Sequence, residues 1–170
     1  MGHQVTIFDS KPASRGLLTY GIPNFKLPKE IVFWRWNDLA QAGVEFQPET
    51  YIGKDQTIDD LLSDGYDAAF IGVGVEIDAP MEVPGEDLPG VMQATEFLIR
   101  CSLEDEQLLP KELCGRPSVG NKVVVIGGGD TASDCLRSAV RLGAKDITCL
   151  YRRTENEMPG GFHDRELARE

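Results

Sequence analysis

Residues 123–132 read VVVIGGGDTA, and this stretch decides the fold of the chain. Its β-branched residues enter a glycine turn, a helix with one apolar face is predicted from Asp130 to Leu142, and a second apolar run follows at 147–151. Strand, glycine turn, helix and strand in this order are typical of a dinucleotide-binding βαβ unit. The amides at the start of such a helix face a pyrophosphate. The alternative interpretation is a glycine-rich turn that holds no ligand.

The small residues of this turn each have a steric reason. Gly127 lets the chain leave the strand sharply, and Gly129 has no Cβ atom that would keep a pyrophosphate away from the backbone. Ala132 is small enough for the helix to pack closely on the strand. The turn and its context together are therefore stronger evidence than the glycine motif alone.

Two arginines follow the second strand of the unit. An acidic residue at this place would bind a ribose 2′-hydroxyl, whereas this chain has Arg152 and Arg153. Guanidinium groups suit a 2′-phosphate by charge and by donor geometry. The sequence therefore favours NADP over NAD, the alternative being two solvated arginines at a strand end.

The composition excludes several classes of function. The chain has 170 residues and a formal net charge of −11, a length that fits one ordinary domain or two small ones. The acidic excess argues against nucleic acid as a partner, although a local basic pocket can still hold a nucleotide. No apolar run approaches the ~20 residues of a membrane span, and no signal peptide is visible. We expect a cytoplasmic protein that does not insert into a membrane.

The cysteines and histidines form no recognisable reactive group. None of the four cysteines is spaced as CxxC, so neither a zinc site nor an iron–sulfur site is predicted. Cys135 and Cys149 fall inside apolar patterns and are predicted to be buried free thiols, which fits a reducing compartment. His3 and His163 are isolated in the sequence. The sequence therefore predicts no catalytic side chain and no metal ligand.

Strands and helices also alternate upstream of the glycine turn. Val5–Phe8 predicts a buried strand that ends at Asp9, and the apolar residues 67–74, which end in glycines, predict another. Residues 102–120 are polar and rich in proline and glycine, and form the predicted linker or domain crossing. The remaining predicted elements are helices at 29–42, 57–62, 91–101 and 164–170 and a strand at 44–47.

Residues 15–28, RGLLTYGIPNFKLP, closely resemble the flavin-loop signature of the glutamate synthase small (beta) subunit family. Relatives of that family include the NADPH-binding part of dihydropyrimidine dehydrogenase and the large subunit of ferredoxin–NADP transhydrogenase. Residues 127–135 and 149–153 resemble the family's NADPH segment, and residues 66–74 resemble its strand near the flavin. The resemblance covers nearly the whole chain.

The resemblance implies an α/β fold with two incomplete Rossmann-like FAD/NAD(P)-binding domains built from parallel βαβ units. Residues 1–115 would be a partial FAD-binding domain whose first strand and glycine motif are missing. Residues 116–170 would be a partial NADPH-binding domain. By comparison with the family, we expect the chain to be a truncated fragment.

The resemblance also implies a role for individual residues. For FAD, Asp9 would hold the ribose, Ile52 would contact the adenosine end through its backbone, and Gly74 would approach the pyrophosphate. Gly16, Leu17 and Lys26 would line the flavin or its phosphates. For NADPH, Gly128, Gly129, Asp130 and Thr131 would cradle the pyrophosphate, and Arg152 and Arg153 would take the 2′-phosphate.

The implied function is that of part of an NADPH-dependent flavin oxidoreductase. NADPH would give a hydride to FAD, and electrons would pass to iron–sulfur centres elsewhere, with a large glutamate synthase-type subunit as the partner. Because the cofactors carry this chemistry, no catalytic side chain is needed. The alternative is a non-catalytic nucleotide-binding or assembly fragment that pairs with another chain or with itself, since unpaired strand edges favour association.

Overall fold

The computed structural model describes residues 2–13, 16–75, 77–102, 113 and 115–167. Parallel strand pairs alternate with helices, so the predicted α/β class is confirmed. The chain divides into two compact units, Met1–Glu76 with Ser102–Cys114 and Ile77–Cys101 with Gly115–Glu170. One break between the units falls between Cys114 and Gly115, next to the predicted boundary, and residues 77–101 also belong to the second unit. The assignment of 1–115 to FAD and 116–170 to NADPH remains a prediction.

The first unit contains a two-stranded parallel sheet. Strand β1 (Val5–Phe8) pairs with β2 (Val44–Gln47), Val5 opposite Val44. Helices α1 (Leu17–Tyr20) and α2 (Lys29–Gln41) connect the two strands. Helix α2 ends before Gly43, whose φ of 96° is the left-handed conformation expected just after a helix C-terminus. The sequence predicted β2 with these bounds and α2 to within one residue.

Helix α3 (Ile58–Ser63) begins with a reciprocal cap. The Thr57 hydroxyl accepts a hydrogen bond from the Asp60 amide at 3.1 Å, and the Asp60 carboxylate accepts one from the Thr57 amide at 2.9 Å. The hydrogen bonds from Thr57 hold the pKa of the Asp60 carboxyl below its usual range. The predicted capped helical turn is therefore confirmed, and it extends one residue beyond its predicted end.

Residues 67–74, predicted to be an apolar strand, are not a strand. Among the described residues none pairs with this segment in a sheet, and its side chains are highly exposed, Phe70 at 97% and Val73 at 76%. Apolar, β-branched composition favours a strand only where a neighbouring strand accepts its backbone hydrogen bonds. The described part of the first unit provides no such neighbour, since β1 pairs with β2 alone.

The second unit contains the predicted βαβ element. Strand β3 (Lys122–Ile126) and strand β4 (Asp146–Leu150) are parallel, with Lys122 opposite Asp146, and α5 (Asp130–Arg141) connects them. A 3₁₀ turn (Glu155–Glu157) and α6 (Phe162–Leu167) follow. The predicted helix at 164–170 thus begins earlier, and its last three residues lie outside the described residues.

Helix α4 (Ala94–Ser102) lies in the second unit except for its last residue and begins later than the predicted helix at 91–101. The Asp78 carboxylate accepts hydrogen bonds from the Thr95 amide and the Thr95 hydroxyl, both at 2.8 Å, which satisfies groups of the first turn. Most of the predicted linker at 102–120 lies outside the described residues. None of the described helices is long and apolar enough to cross a membrane.

The core of the second unit lies between α5 and one face of the β3–β4 sheet. Ala132, Cys135 and Ala139 of α5 are buried, whereas the opposite face of the sheet is open, with Val124 57% exposed. Burial raises the pKa of the Cys135 thiol to about 12. The prediction that Cys149 is also buried is wrong, because its strand has no further neighbour among the described residues and leaves it exposed.

Lys29, at the start of α2, is a buried lysine that the sequence analysis missed. Its ammonium group donates hydrogen bonds to the backbone carbonyls of Leu18, at 3.0 Å, and Ile22. It therefore joins α2 to the segment around α1. Burial lowers the pKa of Lys29 from its ordinary value of 10.5 to about 8.

This shift predicts a pH-dependent stability. Between pH 8 and 10.5 the unfolded chain binds more protons at Lys29 than the folded chain does, so the free energy of unfolding rises with pH across this window. We expect urea unfolding at a series of pH values to show this rise, and Lys29→Met to remove it. Lys54→Met, which alters an exposed lysine of the same unit, should keep the wild-type slope; loss of the slope in both variants would contradict the assignment.

Candidate functional site

The glycine turn begins as a continuation of the β3–β4 pairing. The Gly127 amide donates to the Leu150 carbonyl at 2.9 Å, one residue beyond the end of β3. Gly127 then adopts a φ of 146°, and a Cβ atom there would lie 3.1 Å from Cβ of Ala132. Both observations agree with the predicted need for small residues where helix and strand approach each other.

The start of α5 presents backbone donors without helical partners. The first hydrogen bond into the helix runs from the Ser133 amide to the Gly129 carbonyl at 3.1 Å. The amides of residues 130–132 therefore have no acceptor within the helix. A Cβ atom at Gly129 would have its nearest neighbour, Cγ of Pro159, 3.9 Å away, so the fold leaves room at this position. The arrangement has the donors, dipole and space that an anionic pyrophosphate requires.

The arginine pair lies next to this turn because of Tyr151. A Cβ atom at Gly128 would lie 2.7 Å from Cδ2 of Tyr151, so the tyrosine ring packs directly on the glycine backbone. Arg152 and Arg153 follow immediately, and both are exposed. In the described part of the chain no carboxylate forms an ion pair with either guanidinium. The structure thus brings the predicted pyrophosphate and 2′-phosphate residues to one end of the sheet.

Residues 158–161, which we name the strap, contact the same turn and were missed by the sequence analysis. The Gly160 amide donates to the Gly128 carbonyl at 2.9 Å, and the Gly161 amide donates to the Asp130 carboxylate at 2.8 Å. The Asp130 carboxylate is therefore engaged by the protein itself, and the strap also approaches the Asp130 amide, since a Cβ atom at Gly160 would lie 3.5 Å from that nitrogen. The Pro-Gly-Gly sequence of the strap is a loop signal, but it does not reveal what the loop contacts.

Helix α5 also fixes the chain beyond the strap. The Ser133 hydroxyl donates to the Asp164 carbonyl at 2.9 Å, and the Arg137 guanidinium lies 3.7 Å from the Asp164 carboxylate. Together with Asp130, these residues are spaced at i, i+3 and i+7, and such residues share one face of a helix. One face of α5 thus holds the whole segment from the strap into α6.

Asp9 follows β1, where its backbone continues the sheet and its side chain shapes a loop. The Asp9 amide donates to the Gln47 carbonyl at 3.1 Å, and its carboxylate accepts a hydrogen bond from the Lys11 amide at 3.0 Å. The Thr50 amide donates to the Asp9 carbonyl at 2.9 Å, which places the chain leading to Ile52 beside it. Ile52 itself forms an isolated bridge with Gln56.

The predicted flavin loop is held by buried groups. Gly16, with a φ of 52°, precedes α1, and its carbonyl accepts hydrogen bonds from the amides of Thr19 and Tyr20. Tyr20 is fully buried and its hydroxyl accepts a hydrogen bond from the Ala13 amide at 2.8 Å. Leu17 is 52% exposed, so its side chain is available to a ligand. Arg15, the first residue of the signature, lies outside the described residues.

The other two predicted flavin residues differ in their surroundings. Lys26 is half-buried in the loop, where its amide donates to the Pro23 carbonyl at 2.9 Å. Gly74 has a φ of 69° but lies in the exposed segment that is not a strand. The described residues therefore do not hold Gly74 at a strand end, where the family resemblance places it. No group of metal-ligating side chains occurs in the described ranges.

The sequence of this chain is similar to that of known proteins. No protein-family model matches the chain. It is 46% identical over 173 residues to the glutamate synthase [NADPH] small chain of Escherichia coli, covering 99% of this chain and 36% of that protein. It is 42% identical to the glutamate synthase [NADPH] small chain of Halomonas elongata, again covering 99% of this chain and 36% of the relative.

A likeness to a solved structure supports the fold. FprA of Mycobacterium tuberculosis, solved in complex with NADPH, matches with a TM-score of 0.76 and 23% identity over 97% of this chain and 40% of FprA. The chain spans about a third of the length of the curated relatives it matches. Over nearly its whole length, this chain is a homologue of one segment of the glutamate synthase small chains.

Proposed function

We propose that this chain is part of an NADPH-dependent flavin oxidoreductase of the glutamate synthase small-subunit type. Its second unit binds NADPH through the glycine turn and the two arginines. The observation that carries this proposal is the packing of Tyr151 on Gly128, which brings the start of the segment that carries Arg152 and Arg153 to the glycine turn. The homologous small chains are named for NADPH, which agrees with the arginine pair.

FAD is the second cofactor of the proposal. FAD bound to the first unit would accept the hydride of NADPH and pass electrons on to iron–sulfur centres in a larger partner. Asp9 would hold its ribose, while the loop that carries Gly16, Leu17 and Lys26 would line the flavin. The described residues offer FAD no glycine turn at the start of a helix and leave Gly74 exposed. We therefore propose that this chain by itself binds FAD weakly or not at all.

One titration series tests both cofactors. The purified chain is mixed with FAD, NADPH or NADH in turn, and binding is followed by flavin absorbance and by the fluorescence of the reduced nicotinamide. We expect NADPH to bind more tightly than NADH, and any bound flavin to be bleached by NADPH. Failure to bind either dinucleotide would contradict the NADPH assignment, whereas tight flavin binding would contradict only the expectation of weak FAD binding.

The second candidate function is a non-catalytic assembly fragment. The exposed segment 67–74 supports it, since Phe70 is 97% exposed and Val73 is 76% exposed, and large exposed apolar surfaces mark interaction sites. The partner would be a large glutamate synthase-type subunit or a second copy of the chain.

Cys101, Cys135 and Cys149 are free thiols, which fits the proposed cytoplasmic location.

Sedimentation of the chain alone and with a large glutamate synthase subunit tests this candidate. Self-association or complex formation without dinucleotide binding would favour the assembly role. A monomer that binds NADPH and does not bind the large subunit would contradict the assembly role.

A further inference from the structure

The segment that carries the arginine pair is attached to the glycine turn at both of its ends. We name residues 152–159 the arginine loop. It begins after Tyr151, whose ring packs on Gly128, and it ends at Gly160, whose amide donates to the Gly128 carbonyl. A third attachment follows at once, from the Gly161 amide to the Asp130 carboxylate. The loop is thus closed on the same residues that would hold the pyrophosphate.

The interior of the arginine loop is also braced. The Tyr151 hydroxyl donates to the Glu157 carbonyl at 3.0 Å, across the base of the loop. The Thr154 amide and hydroxyl both donate to the Glu157 carboxylate at 3.1 Å, which forms a capping box around the 3₁₀ turn. These bonds shape the loop itself, whereas the contacts of Tyr151, Met158 and Gly160 with Gly128 fix its place relative to the turn.

At Gly160 the backbone of the strap lies directly against the backbone of the glycine turn. A Cβ atom at position 160 would lie 3.0 Å from the Gly128 carbonyl oxygen and 3.3 Å from the Gly129 carbonyl carbon. Both are backbone atoms of the turn, so neither can rotate away as a side-chain end can. A side chain at position 160 would therefore push the strap and the turn apart by a few tenths of an ångström.

Asp130 contributes the charged group to the contacts between the strap and the glycine turn. Its carboxylate stands in the first turn of α5, where the helix dipole favours a negative charge, and it accepts a hydrogen bond from the Gly161 amide at 2.8 Å. A hydrogen bond to an ionised acceptor is about twice as strong as a neutral one. A carboxylate would repel a pyrophosphate, so its use lies in holding the strap.

We propose that Asp130 and Gly160 form a latch that fixes the arginine loop on the glycine turn and so sets the preference for NADPH over NADH. The inference rests on the proposed NADPH function of this unit. Both are positioning residues, which act through Arg152 and Arg153. NADH needs only the turn, whereas NADPH needs the turn and both guanidinium groups at a fixed distance from it.

The test measures the dissociation constants of NADPH and NADH for the whole chain and compares their ratio between variants. Gly160→Ala should weaken NADPH about tenfold more than it weakens NADH, the size of one charged hydrogen bond, because any disturbance of the turn itself affects both dinucleotides. Gly161→Ala is the matched control, because its Cβ atom would lie 3.8 Å from the Asp130 carboxylate and 3.9 Å from that of Asp164. Alanine also keeps the amide donor, so the ratio should stay at the wild-type value.

Variants of Asp130 provide a second test, in which no atom is added to the packed contact between the strap and the turn. Asp130→Asn retains an oxygen acceptor for the Gly161 amide and should keep most of the preference, whereas Asp130→Ala should lose it. Both substitutions remove the same negative charge and relieve the same repulsion of the dinucleotides, so the difference between Asp130→Asn and Asp130→Ala isolates the loss of the hydrogen bond. Amide hydrogen exchange of residues 152–161, measured without nucleotide, should accelerate in Asp130→Ala and remain near wild type in Asp130→Asn.

The outcomes separate the two proposals. Equal weakening of NADPH and NADH, or unchanged exchange in residues 152–161 of Asp130→Ala, overturns the latch while leaving NADPH binding in place. A wild-type chain that binds neither dinucleotide overturns the proposed function, and the latch's role in cofactor preference with it.

Discussion

Replacing Arg152 and Arg153 together with alanine should weaken NADPH binding by about 100-fold or more, since hydrogen bonds to charged groups contribute roughly 1.5–3 kcal/mol each. NADH lacks the 2′-phosphate, so its dissociation constant should change by less than about threefold from the loss of general positive charge. Neither arginine is paired with a carboxylate of the described residues, so the free energy of unfolding should stay near its wild-type value. Fluorescence titration with both dinucleotides measures the effect.

The control for this pair is Arg141→Ala. Arg141 is an exposed arginine of the same unit at the opposite end of α5, and its loss changes the net charge without touching the proposed site. Raising the salt concentration should narrow the gap between NADPH and NADH in the wild-type chain and have little effect in the double variant. Equal losses for NADPH and NADH in the double variant would remove the 2′-phosphate assignment.

Gly129→Ala should abolish most binding of both dinucleotides while leaving the fold intact. Its φ of −93° suits any residue, and the nearest atom to the new methyl group is 3.9 Å away, so the free energy of unfolding should fall by about 1 kcal/mol or less. The methyl group would stand where the pyrophosphate approaches the backbone. We expect NADPH and NADH to weaken by a similar factor, on the order of tenfold to 100-fold.

Gly128→Ala is the contrasting variant one residue away. Its methyl group would lie 2.7 Å from the Tyr151 ring and 3.0 Å from Met158 Cγ, and such overpacking costs about 1–3 kcal/mol. Thermal unfolding should therefore distinguish the two glycines, with the larger loss at position 128. If Gly129→Ala binds NADPH as the wild type does, the pyrophosphate does not lie against this turn.

The sequence predicted the second unit well because its signals are local. The apolar run of β3, the glycine turn and the face of α5 lie within one short stretch, and the predicted helix ended one residue late. The apolar run of β4 was predicted one residue late at both ends, because the strand begins at the polar Asp146. Boundaries of this kind depend on hydrogen bonds to neighbours that periodicity does not report.

The features that the sequence analysis failed to predict all depend on long-range contacts. The Gly161–Asp130 hydrogen bond joins residues 31 positions apart, and nothing in the local pattern of either residue indicates the other. The strand expected at 67–74 failed for the reverse reason, because a strand requires a partner that local composition cannot supply. Lys29 was missed because a lysine at a helix start is normally solvated.

The residues of the candidate site also differ in whether local sequence or long-range contacts determine their position. Arg152, Arg153 and Gly128 were named from local pattern and resemblance, and the structure places them at one end of the sheet. The roles of Asp9, Gly16, Leu17, Lys26 and Ile52 toward FAD remain predictions, as does that of Gly74. The glycine motif could be recognised from its spacing in the sequence. The hydrogen bond of the Asp130 carboxylate could not, because its partner lies in the strap, which only the fold brings close.

The closed arginine loop has a thermodynamic consequence for ligand recognition. Because its two ends already meet at the glycine turn, most of its backbone conformational entropy is lost when the chain folds. If NADPH binds as proposed, the guanidinium groups stand on a preorganised frame, so binding would have to order little beyond the two side chains. In the proposed latch, the discrimination of a single phosphate group would thus depend on rigidity established at the Asp130 carboxylate, which bonds the Gly161 amide and precedes both arginines by a whole helix and strand.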